Sequence, residues 1–390
     1  MNNLCTDVGY HSLYKHGEQL CGDHVDVIEK GDDYTVLVLA DGLGSGVKAS
    51  ILSTLTSKII STMMANEMSI EECVSTIAAT LPVCEVRKVA YSTFTIMRIL
   101  NNNEAELIQY DNPHVILLRD GKNFEYEKQR METGGKIIYT SKIQLCENDV
   151  FIAMSDGAIY AGVGKYMNFG WQRENIIDYI EKLYDDNYTA KVIATLILDE
   201  CDCLYGGEPG DDTTVAAIKI RTRKPVNMLF GPPSNPDDVN KMMSLFFSKD
   251  GKRIVCGGTT SMLAAQYLGE EVMPDLDYFD PEIPPIAHIK GIDLTTEGVI
   301  TMTQVLKYAQ NYLTDNVCYY DWSTKKDGAS QIAKMLFEEA TDINFLVGRA
   351  MNPAHQNPGL PINFSLKMRI VEELSECLKK MGKKIKVSYF

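Results

Sequence analysis

Val36-Leu37-Val38-Leu39-Ala40-Asp41-Gly42-Leu43-Gly44-Ser45-Gly46 is the stretch from which the rest of the chain can be read. An unbroken apolar run bounded by turn residues is that of a buried strand. This one ends on a carboxylate, and three alternating glycines follow, which is turn chemistry. The arrangement recurs twice. The apolar run 149–154 leads into Ser155-Asp156-Gly157, and Gly210-Asp211-Asp212-Thr213-Thr214 opens another. Carboxylates at strand ends can converge on one mouth, and converging carboxylates hold hard divalent cations such as Mg²⁺ or Mn²⁺. Such ions assist chemistry on phosphate.

A chain of 390 residues exceeds one ordinary core, so two domains are expected. Arg221-Thr222-Arg223-Lys224-Pro225 reads as the linker, giving domains 1–222 and 226–390. The net charge of -15 is uneven: residues 1–220 hold 33 acidic and 18 basic side chains, and residues 221–390 hold 20 of each. All the excess negative charge therefore sits on the half that carries the aspartate turns. Without a basic face, nucleic-acid binding is excluded. No run is apolar for long enough to span a bilayer, and Met1-Asn2-Asn3-Leu4-Cys5 has none of the marks of a signal peptide. The expectation is a cytoplasmic protein with reduced thiols. Cys201-Asp202-Cys203 is the only close cysteine pair, and it reads as two small residues near a helix end.

Secondary-structure signals in the first half mix strands with helix pairs. Val47, Ile51, Leu55, Ile59 and Met63 recur every four residues, which predicts a helix face. Ser69 and Glu72 form a capping box for a second helix. Strands are predicted over 91–100, 104–110, 115–119, 149–154 and 213–220, and helices over 172–184 and 189–204. This is an α+β pattern around an antiparallel sheet. In the second half, strands near 226–230, 253–256, 286–290, 343–347 and 384–389 alternate with helices, which predicts a smaller α/β domain. Within it, Gly257-Gly258-Thr259-Thr260-Ser261 opens a helix, and the backbone N–H groups of Gly258, Thr259 and Thr260 suit an anion. Ordinary helix capping explains the same residues.

Three chemistries compete for the aspartate turns. A dinucleotide fingerprint would need glycine at 47, where Val47 stands. An aspartyl-phosphate route would need an acid two residues after the nucleophile, and Leu43 follows Asp41 at that place. A two-metal hydrolase needs about four carboxylates and an unshielded backbone carbonyl. Asp41, Asp156 and Asp211 qualify, Gly42 offers the carbonyl, and Asp23 of Cys21-Gly22-Asp23-His24 stands one hairpin upstream as the fourth.

Five elements in order then make a pattern: Gly22-Asp23; Ala40-Asp41-Gly42-x-Gly44-x-Gly46; Asn112-Pro113-His114 entering a strand; Ser155-Asp156-Gly157; and Asp211-Asp212-x-Thr214. Over residues 10–220 this resembles the PPM (type 2C) metal-dependent Ser/Thr protein phosphatases, in the bacterial branch typified by SpoIIE and RsbU. The resemblance implies an antiparallel β-sandwich flanked by helices, two Mn²⁺ or Mg²⁺ ions, and hydrolysis of phosphoserine or phosphothreonine on a protein by metal-activated water. Carried over by position, Asp41 and Asp211 lead the catalytic set. Asp41 bridges the ions with the Gly42 carbonyl, Asp23, Asp156 and Asp211 complete the ligands, and Asp212 orients Asp211. The branch implies a small phosphorylated anti-sigma-factor antagonist as substrate. Eukaryotic members hold phosphate with an N-terminal Arg. Here only His11, Lys15 and His16 lie in that stretch, so Lys48 and His24 are the candidates for the phosphate contact. The helix after Gly46 is expected to gate metal occupancy through Val47 and Ile51. His114 is expected to be structural. A catalytically weak signalling protein, whose second domain binds a ligand, is the alternative. A homodimer is left open.

Overall fold

The computed structural model describes residues 3–31, 34–66, 68–69, 72–73, 76, 92–133, 136–275, 282–314, 322–350 and 362–390. They divide into two compact units, Met1–Thr222 and Arg223–Phe390.

The first unit contains strands β1 (Leu4–Leu13), β2 (Asp23–Lys30), β3 (Tyr34–Gly42), β4 (Ser92–Leu100), β5 (Glu104–Tyr110), β6 (Ile116–Arg119), β7 (Lys122–Asn123), β8 (Gln129–Thr133), β9 (Lys136–Gln144), β10 (Val150–Met154) and β11 (Thr213–Thr222). They form two sheets, ordered β1-β11-β10-β6-β7 and β2-β3-β4-β5-β9-β8, and neighbouring strands run antiparallel. The expected α+β sandwich is the observed one.

The sheets face each other across Leu37, Leu39, Met97 and Leu107 on one side and Leu117, Phe151, Ala216 and Ile218 on the other. Each outer face is roofed by helices. Helix α1 (Gly46–Ala65) lies on Val36, Val38, Ala40 and Ile96 through Ile60 and Met64. Two later helices, at Arg173–Leu183 and Ala190–Tyr205, cover Ile152, Val215 and Ala217. The middle of β3 is therefore buried on both faces. That is why its residues are apolar without alternation, and each large side chain so buried contributes about 1.5–3 kcal/mol.

Helix α1 forms where the sequence predicts it but presents a different face. Val47, Ile51 and Leu55 are each more than half exposed, while Ala49, Ser53, Thr56, Ser57 and Ser61 are buried with Ile60 and Met64. The cause is close approach. A Cβ placed on Gly42 would stand 2.2 Å from the Ala49 carbonyl oxygen, so only small residues fit where helix and strand meet. The packing route from α1 to the strand end runs through Ala49, and the expected gating role of Val47 and Ile51 is corrected accordingly. Ser69 and Glu72 do form the capping box: the Ser69 amide donates to Glu72 Oε2 (3.1 Å) and the Glu72 amide to Ser69 Oγ (3.2 Å). Most of the helix they were expected to open lies outside the described residues.

The second unit has strands β12 (Pro225–Phe230), β13 (Lys252–Cys256), β14 (Met273–Pro274), β15 (Ala287–His288), β16 (Leu294–Thr296), β17 (Asp342–Val347) and β18 (Lys384–Tyr389). The order β16-β13-β12-β17-β18 is parallel throughout, with β14 and β15 added antiparallel at one edge. Parallel strands need crossover helices, which explains the strand–helix alternation in the sequence. Among the described residues, no helix of either unit is long and apolar enough to cross a membrane.

Candidate active site

The antiparallel register of β2 and β3 sets Asp23 directly opposite Asp41. Opposed residues of such a pair point to the same face with Cβ atoms about 5 Å apart, so two carboxylates meet at one end of the sandwich. The other sheet delivers its own pair at that end. Asp156 opens helix α2 (Asp156–Tyr160) just beyond β10, and Asp211 precedes β11. Ser155 joins these two turns: its Oγ accepts from the Thr214 amide (2.9 Å), and its amide donates to the Thr214 carbonyl (3.0 Å).

Burial pushes the Asp41 carboxyl well above the ordinary carboxylate range, and the charges of Asp23, Asp156 and Asp211 push it further. Asp23 is raised first by burial and then by Asp212 and Asp156, against the lowering influence of the nearby Ser155 and Thr214 hydroxyls. Burial also raises Asp156, with Asp211 adding to the effect, and raises Asp211, which Lys15 partly offsets. The four carboxylates sequence reasoning proposed therefore act on one another.

Three of these carboxylates border a cleft of about 850 Å³, lined by Asp41, Gly42, Asp156, Asp211 and Lys15, with Asp111, His114, Tyr139 and Tyr160 on its walls; Asp23 is buried and is not part of the lining. Among the described residues, no three His, Cys, Asp or Glu side chains stand close enough together to hold an ion as they are. The donor chemistry nevertheless fits a hard cation. Asp23 is buried, and although the Ser155 and Thr214 hydroxyls lie near it, no hydrogen bond of ordinary geometry reaches either of its carboxylate oxygens; Asp212 Oδ2 is likewise unpaired. A buried carboxylate without a partner costs several kcal/mol unless a cation compensates it.

The remaining predicted residues fall as follows. Asp212 does support Asp211, but through its backbone: the Asp212 amide donates to Asp211 Oδ1 (3.0 Å), while the Asp212 carboxylate accepts from the Lys15 amide (3.1 Å). His24 and Lys48 do not reach the cleft. His24 points to the opposite face of β2 from Asp23, where its Nδ1 pairs with Ser57 Oγ (2.8 Å) under α1. Lys48 is exposed on the first turn of α1 and is not part of the lining. The lysine that does line the cleft is Lys15, whose Nζ stands 3.7 Å from Asp211 Oδ1. His114 packs edge-on against Tyr139 (4.9 Å between ring centroids) while lining the same cleft. Thr93 and Gln109 also line it. Their sequence signal is absent, since Thr93 reaches the site only because it pairs with Asp41 across β3 and β4.

Gly258, Thr259 and Thr260 belong to the second unit, at the start of the helix Gly258–Leu268. Its N-cap Gly257 has φ +112, and no side chain caps the turn. Gly258 and Thr259 are exposed and Thr260 is buried, so these are the ordinary free donors of a helix start.

Residues 31–221 match the family model for stage II sporulation protein E. The N-terminal unit belongs to the SpoIIE family. It is thus a PPM-type phosphatase domain. Among solved structures, the phosphatase domain of Bacillus subtilis SpoIIE with a fragment of its regulatory domain is 21% identical (TM-score 0.49). The match covers 57% of this chain and 65% of that one, so this chain spans just under two thirds of it. A second Bacillus subtilis SpoIIE phosphatase-domain structure, without domain swapping, is 19% identical (TM-score 0.46; 58% and 96% covered). The RsbU and RsbW domains of a Mycobacterium tuberculosis protein are 16% identical (TM-score 0.47; 62% and 68% covered). No curated protein matches the chain in sequence.

Proposed function

We propose that the N-terminal unit hydrolyses phosphoserine or phosphothreonine on a protein, using two divalent cations, Mn²⁺ or Mg²⁺. Asp23, Asp41, Asp156, Asp211 and the Gly42 carbonyl would hold them. The observation that carries this reading is the meeting of mutually destabilised carboxylates from both sheets at one end of the sandwich, three of them on an open cleft and the fourth, Asp23, buried beside Asp41. The chemistry that paired divalent cations supply at such a site is polarisation of a phosphoryl group and acidification of water.

The chain's own residues do the rest. Gly42, lacking a side chain, leaves its carbonyl open beside Asp41. Ser155 fixes the turn that carries Asp156 against the strand after Asp211. Lys15, tethered by its backbone to Asp212, places an ammonium on the cleft wall where an anionic phosphate would enter. It takes the place first assigned to Lys48 and His24. The substrate we infer is a small phosphorylated protein of the anti-sigma-factor-antagonist type, a reading supported by family membership.

The test is Mn²⁺-dependent hydrolysis of p-nitrophenyl phosphate by the full chain. It is expected in the wild type and lost in Asp41→Ala and in Asp211→Ala. Activity retained by both variants would overturn the site. No activity in the wild type would favour the alternative of a phosphatase fold used for signalling through its second unit.

A further inference from the structure

The cleft wall continues outward into an ordered apolar ledge. After α2 the chain turns tightly through residues 161–170. The Gly162 carbonyl accepts amides from Lys165 (3.1 Å), Tyr166 (3.0 Å) and Met167 (2.9 Å), and the Gly164 amide donates to the Met167 carbonyl (3.3 Å). Met167 packs against the core beneath the two roofing helices, and the Lys165 ammonium donates to the Tyr205 carbonyl. Gly170, at φ +80, lies so close that a Cβ there would stand 2.2 Å from the Ile159 carbonyl oxygen. The loop is therefore fixed by its backbone and by its inward side chains.

Its other side chains face solvent. Tyr166 is 71% exposed and Phe169 is 82% exposed, with Val163 and Tyr160 also open. Isolated exposed apolar residues are ordinary, but Tyr160 and Val163 stand together beside the backbone that carries Phe169. The Cβ position of Gly170, next to Phe169, lies 3.0 Å from both Tyr160 Cα and Val163 Cγ2. Tyr160 is also part of the cleft wall, and Ile137, exposed in turn, belongs to the same lining. Exposed apolar residues thus lead from the cleft through Tyr160 and Val163 to the segment that carries Phe169.

We propose that this ledge is the docking surface for the phosphoprotein substrate, taking apolar side chains that flank its phosphorylated residue. The inference rests on the phosphatase reading above. The occupant follows from geometry: the carboxylates sit inside the cleft, so a protein that delivers a phosphoserine to them must lie across the rim. A phosphate needs only the carboxylate end of a cleft of about 850 Å³, whose lining also includes Ile159 and Tyr160, and Val163 stands beside Tyr160 at Gly170, next to Phe169.

The experiment compares two phosphoserine peptides of equal length and charge, one with Leu and Phe flanking the phosphoserine and one with Ser and Asn. It uses the full chain with MnCl₂ and p-nitrophenyl phosphate as the small-molecule control. The wild type is expected to favour the apolar peptide in kcat/KM by about tenfold, the scale of discrimination that apolar pockets provide. The double variant Val163→Ser/Phe169→Ser is expected to lose that preference while hydrolysing p-nitrophenyl phosphate at the wild-type rate, since neither side chain lines the cleft. The wild-type peptide ratio stands without any variant, so a variant that fails to fold leaves a decisive measurement. Equal use of both peptides by a wild type active on p-nitrophenyl phosphate overturns the ledge alone. So does a preference that survives in the double variant. Conversion of a dimer to a monomer by the double substitution, seen by sedimentation, would reassign the ledge to contact between copies and also overturn it. A wild type inactive on every substrate overturns the ledge together with the phosphatase reading.

Discussion

Replacing Asp41 with Asn should make the cation-free protein more stable and the cation-loaded protein relatively less so. Asp23 and Asp41 are register partners on adjacent antiparallel strands. Burial and neighbouring charge push Asp41 up to about 9, so at pH 8 the cation-free protein either takes up a proton there or keeps two carboxylates ionised about 5 Å apart, a repulsion of roughly 3 kcal/mol at an effective dielectric of about 20; an uncharged side chain avoids both costs. Asp156 and Asp211 add to the same penalty, and burial adds more. Asn keeps the shape and removes the charge. For a unit of this size, where 1 kcal/mol moves Tm by about 2–4 °C, relief of 1–3 kcal/mol should raise Tm by about 2–12 °C in chelator at pH 8. A divalent cation reverses the comparison. At about 100-fold above its Kd, an ion bound only by the folded wild type adds about 2.7 kcal/mol, and the Asn variant forfeits most of this. Scanning calorimetry of both proteins, with EDTA and then with MnCl₂, measures the four values. The reasoning fails if Asp41→Asn melts lower than wild type in EDTA, or if Mn²⁺ raises both proteins equally.

Gly42→Ala should cost about 2–4 kcal/mol, because its Cβ would overlap the Ala49 backbone oxygen at 2.2 Å and neither backbone can withdraw cheaply; an unchanged urea midpoint would refute the close-packing account. Lys15→Ala should raise KM for p-nitrophenyl phosphate by about tenfold, the worth of one charge-assisted contact, with Lys15→Arg recovering most of the loss; an unaltered KM would remove Lys15 from the phosphate contact. Burial pushes the Glu106 carboxyl up, but hydrogen bonds and charge from Lys142 and Arg98 outweigh it and hold the group below its usual range. A depressed carboxylate contributes stability that is complete above its unfolded value and disappears as pH falls through the folded one. Glu106→Gln should therefore cost about 1–3 kcal/mol at pH 7, the worth of hydrogen bonds to a charged group, and the proton-linked part of that cost should fade below about pH 4.5, so urea midpoints of the two proteins should draw closer in acid; parallel curves would refute it.

The strand ends were legible because each aspartate follows or precedes a run too apolar to be anything but buried, and the turn glycines mark where the run stops. The face of α1 was not legible. Its four-residue apolar spacing is the ordinary signature of a core-facing stripe, yet the helix is held at backbone distance from Gly42, and sequence periodicity carries no information about how close two elements come. Lys48 and His24 were proposed for their nearness along the chain to Asp41 and Asp23. In a strand, adjacent residues point to opposite faces, so nearness to Asp23 is what turns His24 away from the cleft. The place of Lys15 is not legible in the sequence, because it depends on the loop between β1 and β2 being tied to Asp212, a contact between residues 197 positions apart. Thr93 needed the β3–β4 register before it could be seen at all.

The site's position at one end of the sandwich has a simple structural origin. In an antiparallel pair, the end of one strand lies beside the start of its neighbour. Asp41 closes β3 where Asp23 opens β2; Asp156 follows the end of β10 where Asp211 precedes β11. Each sheet thus contributes one such junction, and packing the sheets face to face brings the two junctions together. Register decides everything at these points, because a slip of one residue between β2 and β3 would carry Asp23 to the face that holds His24 and Asp26. The hydrophobic alternation that fixes register is weak in β2, where Val25 and Val27 are only partly buried. Stronger constraints come from β3 itself, buried from Thr35 to Ala40, and from the Gly42 amide donating to the Gly22 carbonyl (3.1 Å) at the junction. The glycines that read as turn punctuation in the sequence therefore hold the carboxylates in line: Gly42 admits α1 at its own backbone, and the Gly22–Gly42 bond fixes the strand pair on which Asp23 and Asp41 meet.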